Sequence, residues 1–539
     1  MNKFKQHVRL TIMGLCLSFS LAVFSQYSDI ETDGPGYAEN CTTIMVGKLA
    51  STDGSVMTSH SCDGKYRTWL DIIPHAKYEN GTMHPVYEGM MATEEAWDMT
   101  GVIKKGEIPE VAETYSFLNT AYPCLNEKQL AIGETTIYGR QELVNPEGMF
   151  FIEELEKIAL QRCTTARQAI ALIGKLAETY GYCDLAECIT IADPNEVWQL
   201  EIAGSGKGKP SAIWCAQRVP DDHVGIVANI PRISIIDFNN PEYFMFSTEL
   251  QNIAKKLGYW DGKEPLRFWK VINGKKPFAI REFYVLNSLA PSLNLSFEAE
   301  ELPFSVKPEK KLSPADVMRY FTETYENTQW DMTKNLLVTI KEKDAEGREV
   351  EKKVKSPAVS NWMNNDLRTL INELKPGTID RQRTIAISGC SYSHVIQCRS
   401  WLPDEVGAVA WFSFDNPGQS PRIPVFSGAL SLPASFGICG QQRYRTDAAI
   451  WSFREANRLS SVNWSKGRLL IEPAVKEFQN KGFEELPLVE KKVAQLVKAG
   501  KNQEAREYVT AYTNTFAAAT ITRWQEIKTT LWGLLGRGF

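Results

Sequence analysis

The sequence has no surplus of either charge. Lys plus Arg is 60 and Asp plus Glu is 65, a formal net charge of −5. That balance argues against a general nucleic-acid binder, which needs a basic surface. Histidine is scarce, with 6 in 539 residues and no metal-binding pair at helical spacing. The 11 cysteines include only ten beyond residue 40, too sparse for a disulfide scaffold and with a connectivity that sequence does not give. There are no internal repeats and no long low-complexity tract. Past the N-terminus no apolar run approaches the ~20 residues of a membrane-spanning helix. What remains is ordinary globular composition, 43% hydrophobic and 23% charged. The core can be large, and at roughly 100–200 residues per domain the length fits two to four domains or one elaborated one.

The first residues read as a secretory signal peptide, 1–25. Lys3, Lys5 and Arg9 form a basic start, Leu10 to Val23 is dominated by apolar residues, and Ser25-Gln26 opens a polar stretch. Cys16 lies inside the apolar stretch rather than after it, which disfavours lipidation. Export to the periplasm or medium is therefore expected, with no stable membrane insertion once the signal is removed. Residues 26–40, QYSDIETDGPGYAEN, read as a pro-segment or linker.

At Cys41 the pattern changes. TTIMVGKLA and SVMTSHS flank an Asp53-Gly54 turn, a hairpin signature. QLAIGETTI is another strand. Residues 148–162 and a segment capped by Thr165 with Gln168 read as helices. Four strands then follow closely, ECITIAD, EVWQLEIAG, AIWCAQRVP and HVGIVANI, and read as a meander. Helices beside a mostly antiparallel sheet give an α+β layered fold. Residues 240–385 are less regular, with helices at FSTELQNIAKKLG and after Ser313-Pro314. The charge-dense stretch 341–355 reads as a solvated hairpin. Strand-like runs return in TIAISGC and GAVAWFSFD, and from about 444 the chain is mostly helical.

Several motifs carry little. AGSGKGKP (203–210) lacks the glycine spacing and the Ser/Thr of a phosphate loop and reads as a hairpin loop. Cys183 and Cys188 have no matching pair for zinc. SGCSYSH contains no nucleophile elbow. The informative residue is Cys41. Cleavage of the Asn40–Cys41 bond would make it an N-terminal residue, with a thiol nucleophile and an α-amine of pKa ~8 as its base. No separate catalytic histidine is then needed. A turn centred on Asp53-Gly54 sets Asp63 opposite Ile44, roughly 10 Å along the strand from Cys41 at ~3.3 Å per residue, and a register change would bring it closer. Asp63 could then hold the amine by a charged hydrogen bond. Spacing alone leaves a second reading equally open: Cys41 as a small buried hydrophobe and Asp63 as a turn residue.

CTTIMVGKLASTDGSVMTSHSCD (41–63) resembles the opening of the bacterial dipeptidase A family of N-terminal-nucleophile (Ntn) cysteine hydrolases, which belongs to a wider group with penicillin V acylase and bile salt hydrolase. LNEKQLAIGETT (125–136), WCAQRVPDDHVGIVANIPRI (214–233) and SYSHVIQCRSWLPDEVGAVAW (391–411) resemble later segments of that family, in order. The resemblance implies a four-layer αββα Ntn-hydrolase sandwich over 41–460, insertion-like at 240–385, with a helical C-terminal extension at 461–539. It implies autocatalytic removal of the leader and hydrolysis of dipeptides through a thioester, with no metal or organic cofactor. By position, Cys41 is the nucleophile, Asp63 orients its amine, and Asn229 donates to the oxyanion. Asn126 and Glu127 line the substrate site, and His60 stands where the family has an arginine and is assigned to substrate binding. For Asn229 a strand-end cap stays open as an alternative, and for Glu134 a solvent-facing carboxylate does. Arg454 is a candidate for the arginine of the wider group.

The expected function is an exported cysteine dipeptidase. The same chemistry on N-acyl amino acids or bile salts is the alternative. A non-enzymatic surface or carbohydrate-binding protein, suggested by 14 Trp and 19 Tyr, is a third reading. The homo-oligomeric state is left open.

Overall fold

The computed structural model describes residues 41–64 and 66–537. The signal peptide and pro-segment readings lie outside the described residues. The expected hairpin is present as β1 (Thr43–Val46) and β2 (Val56–Asp63). Its connection is held by Asp53, whose Oδ1 accepts from Ser51 Oγ at 2.6 Å and from Ser55 N at 3.0 Å. The register differs from the expected one. Val46 pairs with Met57, and Ile44 donates its N–H to Ser59 Oγ at 2.8 Å instead of facing Asp63. The cause is a second turn at Gly47–Ala50, where Ala50 N donates to Gly47 O at 3.0 Å. It lengthens the connection on the β1 side and slides Asp63 up to the level of Cys41.

Further along come β3 (Ala131–Thr136), β4 (Glu187–Ala192), β5 (Val197–Gly204), β6 (Ala212–Val219) and β7 (Val224–Val227), then β8 (Cys390–Cys398), β9 (Ala408–Phe414) and β10 (Ile423–Phe426). The four-strand meander is only three strands long. β4, β5 and β6 pair in sequence, but β7 crosses to the other sheet and pairs with β1. Pro220 ends β6 because it has no N–H for the ladder. The turn after it, with His223 N donating to Pro220 O at 2.9 Å, redirects the chain.

Two antiparallel sheets result. One has the order 305–306, β7, β1, β2, β8, β9, β10; the other runs 244–246, β6, β5, β4, β3, 125–126, 117–119, 71–73. They face each other. Thr43 Oγ1 donates to Glu134 O at 3.0 Å, and Thr58 and Thr190 share a hydroxyl contact at 2.6 Å. A Cβ on Gly133 would stand 2.3 Å from Ser59 O, so only glycine permits this approach. Alternate residues of the first sheet feed two cores, as the two-residue period of a strand requires. Met45, Tyr392, Ile396 and Phe412 point between the sheets. Ile44, Met57, Val395 and Trp411 point outward.

Helices cover the outer faces. α1 (Ile152–Arg162) and α2 (Ala166–Tyr180) lie on the second sheet, with Gly174 against the Trp214 indole. Thr165 caps α2 as expected, accepting from Gln168 N. α3 (Leu250–Lys256), α4 (Ile280–Leu289), α5 (Pro314–Tyr320) and α6 (Asn365–Leu374) punctuate the irregular region. The Leu337–Lys343 and Glu349–Lys355 strands form the expected solvent-facing hairpin. α7 (Ala449–Val462), α8 (Trp464–Lys498) and α9 (Asn502–Leu535) form the helical C-terminal region. Phe483 of α8 packs on Trp411 at 4.8 Å. Among the described residues no helix is long and apolar enough to cross a membrane.

Candidate active site

Cys41 lies two residues before β1 and is 1% exposed. Two arginines from distant parts of the chain close around it. Arg281, in the first turn of α4, donates through Nη1 to Cys41 O at 2.7 Å and to Thr42 Oγ1 at 2.9 Å. Its Nη2 reaches Ala228 O at 3.1 Å and Asn229 Oδ1 at 2.8 Å. The next residue fixes the helix start: Glu282 accepts from Ala228 N and Ala279 N, each at 3.0 Å. Burial lowers Arg281 to about 10, still cationic at neutral pH.

Arg383 holds Asp63, with Nη2 2.7 Å from Oδ2. A bulge between Cys390 and Tyr392 sets Cys390 opposite Asp63, with its thiol donating to Tyr392 O at 3.2 Å. The other oxygen, Asp63 Oδ1, is buried without a partner among the described residues. Burial raises the Asp63 pKa, opposed by Arg383 and Cys390. The Asp63 main chain lies near the Cys41 sulfur and opposes the rise of its pKa. A hydrogen bond with Cys62 and burial hold the Cys41 thiol well above its ordinary value, so the thiol of the uncleaved chain is protonated at neutral pH.

Behind the thiol lies an acidic, aromatic interior. Glu134 is fully buried rather than solvent-facing, and burial, then the adjacent Cys41, push its pKa well up. It shares a hydrogen bond with Glu187, raised in the same way. His60 is 0% exposed and stacks on Tyr392 and His394 at 5.6 and 5.4 Å. Burial drops its pKa to about 3, so it cannot supply the positive charge of the arginine it replaces. Donor atoms of Cys41, His60 and Glu134 lie within 4.8 Å of one another. The Glu134 N–H already occupies His60 Nδ1 at 2.9 Å, however, which leaves the proton on Nε2. The ring therefore has no free lone pair for a metal in this arrangement.

The remaining sequence-derived residues fall into two groups. Asn229 is in the site, with φ 65, and one Nδ2 hydrogen goes to Thr136 O at 2.7 Å. No acceptor for the second Nδ2 hydrogen is found among the described residues. Asn126 and Glu127 are engaged elsewhere. Asn126 Nδ2 donates to Leu160 O and Cys163 O at 2.8 and 2.9 Å. Glu127 accepts from Ser116 N at 2.9 Å and pairs with His75 and Arg506. Arg454 binds Asp415 at 2.7 Å and Gln441 Oε1 at 2.8 Å, and touches the site's surroundings through the Cys390 carbonyl at 3.5 Å. Arg281 and Arg383 are the site residues that sequence reasoning missed. Neither sits in a motif; the nearest signal is the Arg-Glu pair at the start of an apolar helix.

Comparison with known proteins adds an independent line. A family model described as peptidase family C69 matches residues 40–479. A "Probable dipeptidase" of Latilactobacillus sakei is 26% identical over 406 residues, 72% of this chain and 74% of the relative. A "Probable dipeptidase A" of Streptococcus pyogenes serotype M3 is 23% identical over 505 residues, 88% of this chain and 95% of the relative. A "Probable dipeptidase B" of Lactococcus lactis subsp. lactis is 25% identical over 415 residues, 74% of this chain and 76% of the relative.

Proposed function

The chain belongs to peptidase family C69, and from that premise we propose that this peptidase is an exported cysteine dipeptidase that works from an N-terminal Cys41. Dipeptides are the substrate class in the names of its relatives. The fold we propose is the Ntn-type αββα sandwich, supported by two facing sheets with helices on their outer sides.

The observation that carries the mechanism is the unpaired Asp63 Oδ1. A buried carboxylate oxygen without a partner costs several kcal/mol of lost hydration unless something fills the vacancy. The same residue lowers the Cys41 thiol pKa through its main chain and is anchored by Arg383 through Oδ2. Cutting the Asn40–Cys41 bond creates a charged amine beside that oxygen. The new ammonium also favours the thiolate, so a thiol that is inert in the precursor becomes reactive.

The free amine takes the thiol proton, and the sulfur attacks the peptide carbonyl. The second Nδ2 hydrogen of Asn229 stabilises the oxyanion, while Arg281 fixes Asn229 Oδ1 and the Cys41 carbonyl. The ammonium then protonates the leaving amine and a thioester remains. Water, deprotonated by the same amine, hydrolyses it and releases the second amino acid.

The test is the intact mass and N-terminal sequence of wild type and Cys41→Ala, followed by a dipeptide panel. Wild type starting at Cys41, with the variant still carrying 26–40, is expected. A Cys41→Ala protein that hydrolyses dipeptides sinks the reading. Cleavage of glycine- or taurine-conjugated acyl groups in place of dipeptides would move the substrate to the acylase class. Export is checked by fractionating cells that express the full chain.

A further inference from the structure

A small cavity of about 60 Å³, room for a carboxylate-sized group, shares a wall with the site. Arg383, the residue that holds Asp63, lines it, as does the Ala386–Ser388 segment that leads into Cys390 opposite Asp63. Among the described residues its charge is one-sided: three arginines, Arg368, Arg381 and Arg383, line it and no Asp or Glu does. Two of them are set by a single residue. Arg368 Nη1 donates to Asn365 Oδ1 at 3.4 Å. Arg381 Nη2 donates to Asn365 O at 3.3 Å and to Thr369 Oγ1 at 2.5 Å. Asn365 is the first residue of α6, so the positive end of the helix dipole lies at the same wall. Two more donors of the wall, Asn365 Nδ2 and Trp362 Nε1, are buried with no acceptor. The wall thus collects donors and positive charge, and its acceptors are neutral amide, hydroxyl and carbonyl oxygens.

We propose that this cavity receives a carboxylate carried by the C-terminal residue of the substrate, with Arg368 and Arg381 as specificity-determining residues. The inference rests on the peptidase reading above. A carboxylate presents two coplanar oxygens that match the guanidinium fork. In thioester chemistry the N-terminal half stays on Cys41, while the leaving half carries its main-chain carboxylate three bonds from the scissile carbonyl carbon. The side-chain carboxylate of an acidic C-terminal residue has the same chemistry and reaches further. A longer peptide would have to bring an uncharged amide here, so the cavity would explain a restriction to dipeptides.

The experiment uses the processed full-length enzyme and the Arg368→Met/Arg381→Met double variant, with processing confirmed by N-terminal sequencing. Substrates are alanylalanine, alanylalanine amide, and the C-terminal amides of alanylglutamate and alanylglutamine. Wild type is expected to favour alanylalanine over its amide by at least about 50-fold in kcat/KM. The double variant should lose most of that preference through a 10- to 100-fold rise in KM for the acid, with the amide unchanged. If only the preference for alanylglutamate amide over alanylglutamine amide is present and vanishes in the variant, the side chain is the source of the carboxylate. The proposal is overturned if wild type shows neither preference, or if the variant keeps it. Calorimetry with N-acetylalanine separates the two ideas. Binding to wild type but not to the variant, without any dipeptide hydrolysis, would refute the dipeptidase reading and keep the carboxylate subsite. Neither hydrolysis nor binding would refute both.

Discussion

Asp63 is the residue on which most depends. Asp63→Asn keeps the shape and removes the charge, and should lower dipeptide hydrolysis by at least about 100-fold, because the amine loses its ionic partner and the buried Arg383 loses its own. Steady-state kinetics check the rate, and N-terminal sequencing shows whether the leader is still removed. Glu153 makes a different kind of prediction. Burial raises its pKa to about 8, and Glu201 goes to about 7 for the same reason. Between the unfolded value near 4.5 and these values, the folded chain holds protons that the unfolded chain has released. Stability is therefore full below pH 4.5 on this account and declines as pH rises toward 8. Glu153→Gln should flatten that decline in melting temperatures measured from pH 5 to 8.5. The same residues show what sequence reveals. Cys41 and Asp63 could be placed near each other from the sequence because both sit in one short hairpin. Arg281 and Arg383 could not, since they meet their partners across 240 and 320 residues. Long-range pairing of this kind leaves no local pattern to read.

Elements were legible where a local signal specified them. The Thr165 and Ser313 caps, the Asp53 turn and the two-residue period of the buried strands all appear where the residues place them. Two features failed, and for related reasons. The hairpin register depended on a Gly47 turn stabilised by contacts with Asp221 from the distant turn between β6 and β7. The exchange of β7 between sheets depended on which edge β1 offered, and the strand itself carries no mark of that. Sheet stacking also sets a test. Gly133→Ala places a Cβ against the Ser59 carbonyl, next to Glu134 and His60. Overpacking there should cost about 1–3 kcal/mol by denaturant titration and lower activity as well, because the displaced strand backs onto Cys41.

The whole molecule is tied together late in the chain. α9 supplies Arg506 to Glu127, Thr513 to the Pro424 carbonyl at 2.8 Å, and Trp524 to Asn457 at 3.2 Å. Arg506→Ala should cost about 1.5–3 kcal/mol, since Glu127 is buried and keeps only Ser116 and His75 as partners. Deleting 502–539 uncovers the outward face of the first sheet and should abolish soluble, cooperatively melting protein, as gel filtration and calorimetry would report. The ordering of that first sheet has a further consequence. β2 lies between β1, its near neighbour in sequence, and β8, which leaves the ribosome more than 300 residues later. Arg383, which steadies Asp63, arrives with β8. Until then Cys41 stands in an unfinished environment. Proposed self-cleavage therefore acts as an inspection step: the leader comes off only after the most distant parts of the polypeptide have found their places, and a misassembled chain stays chemically silent.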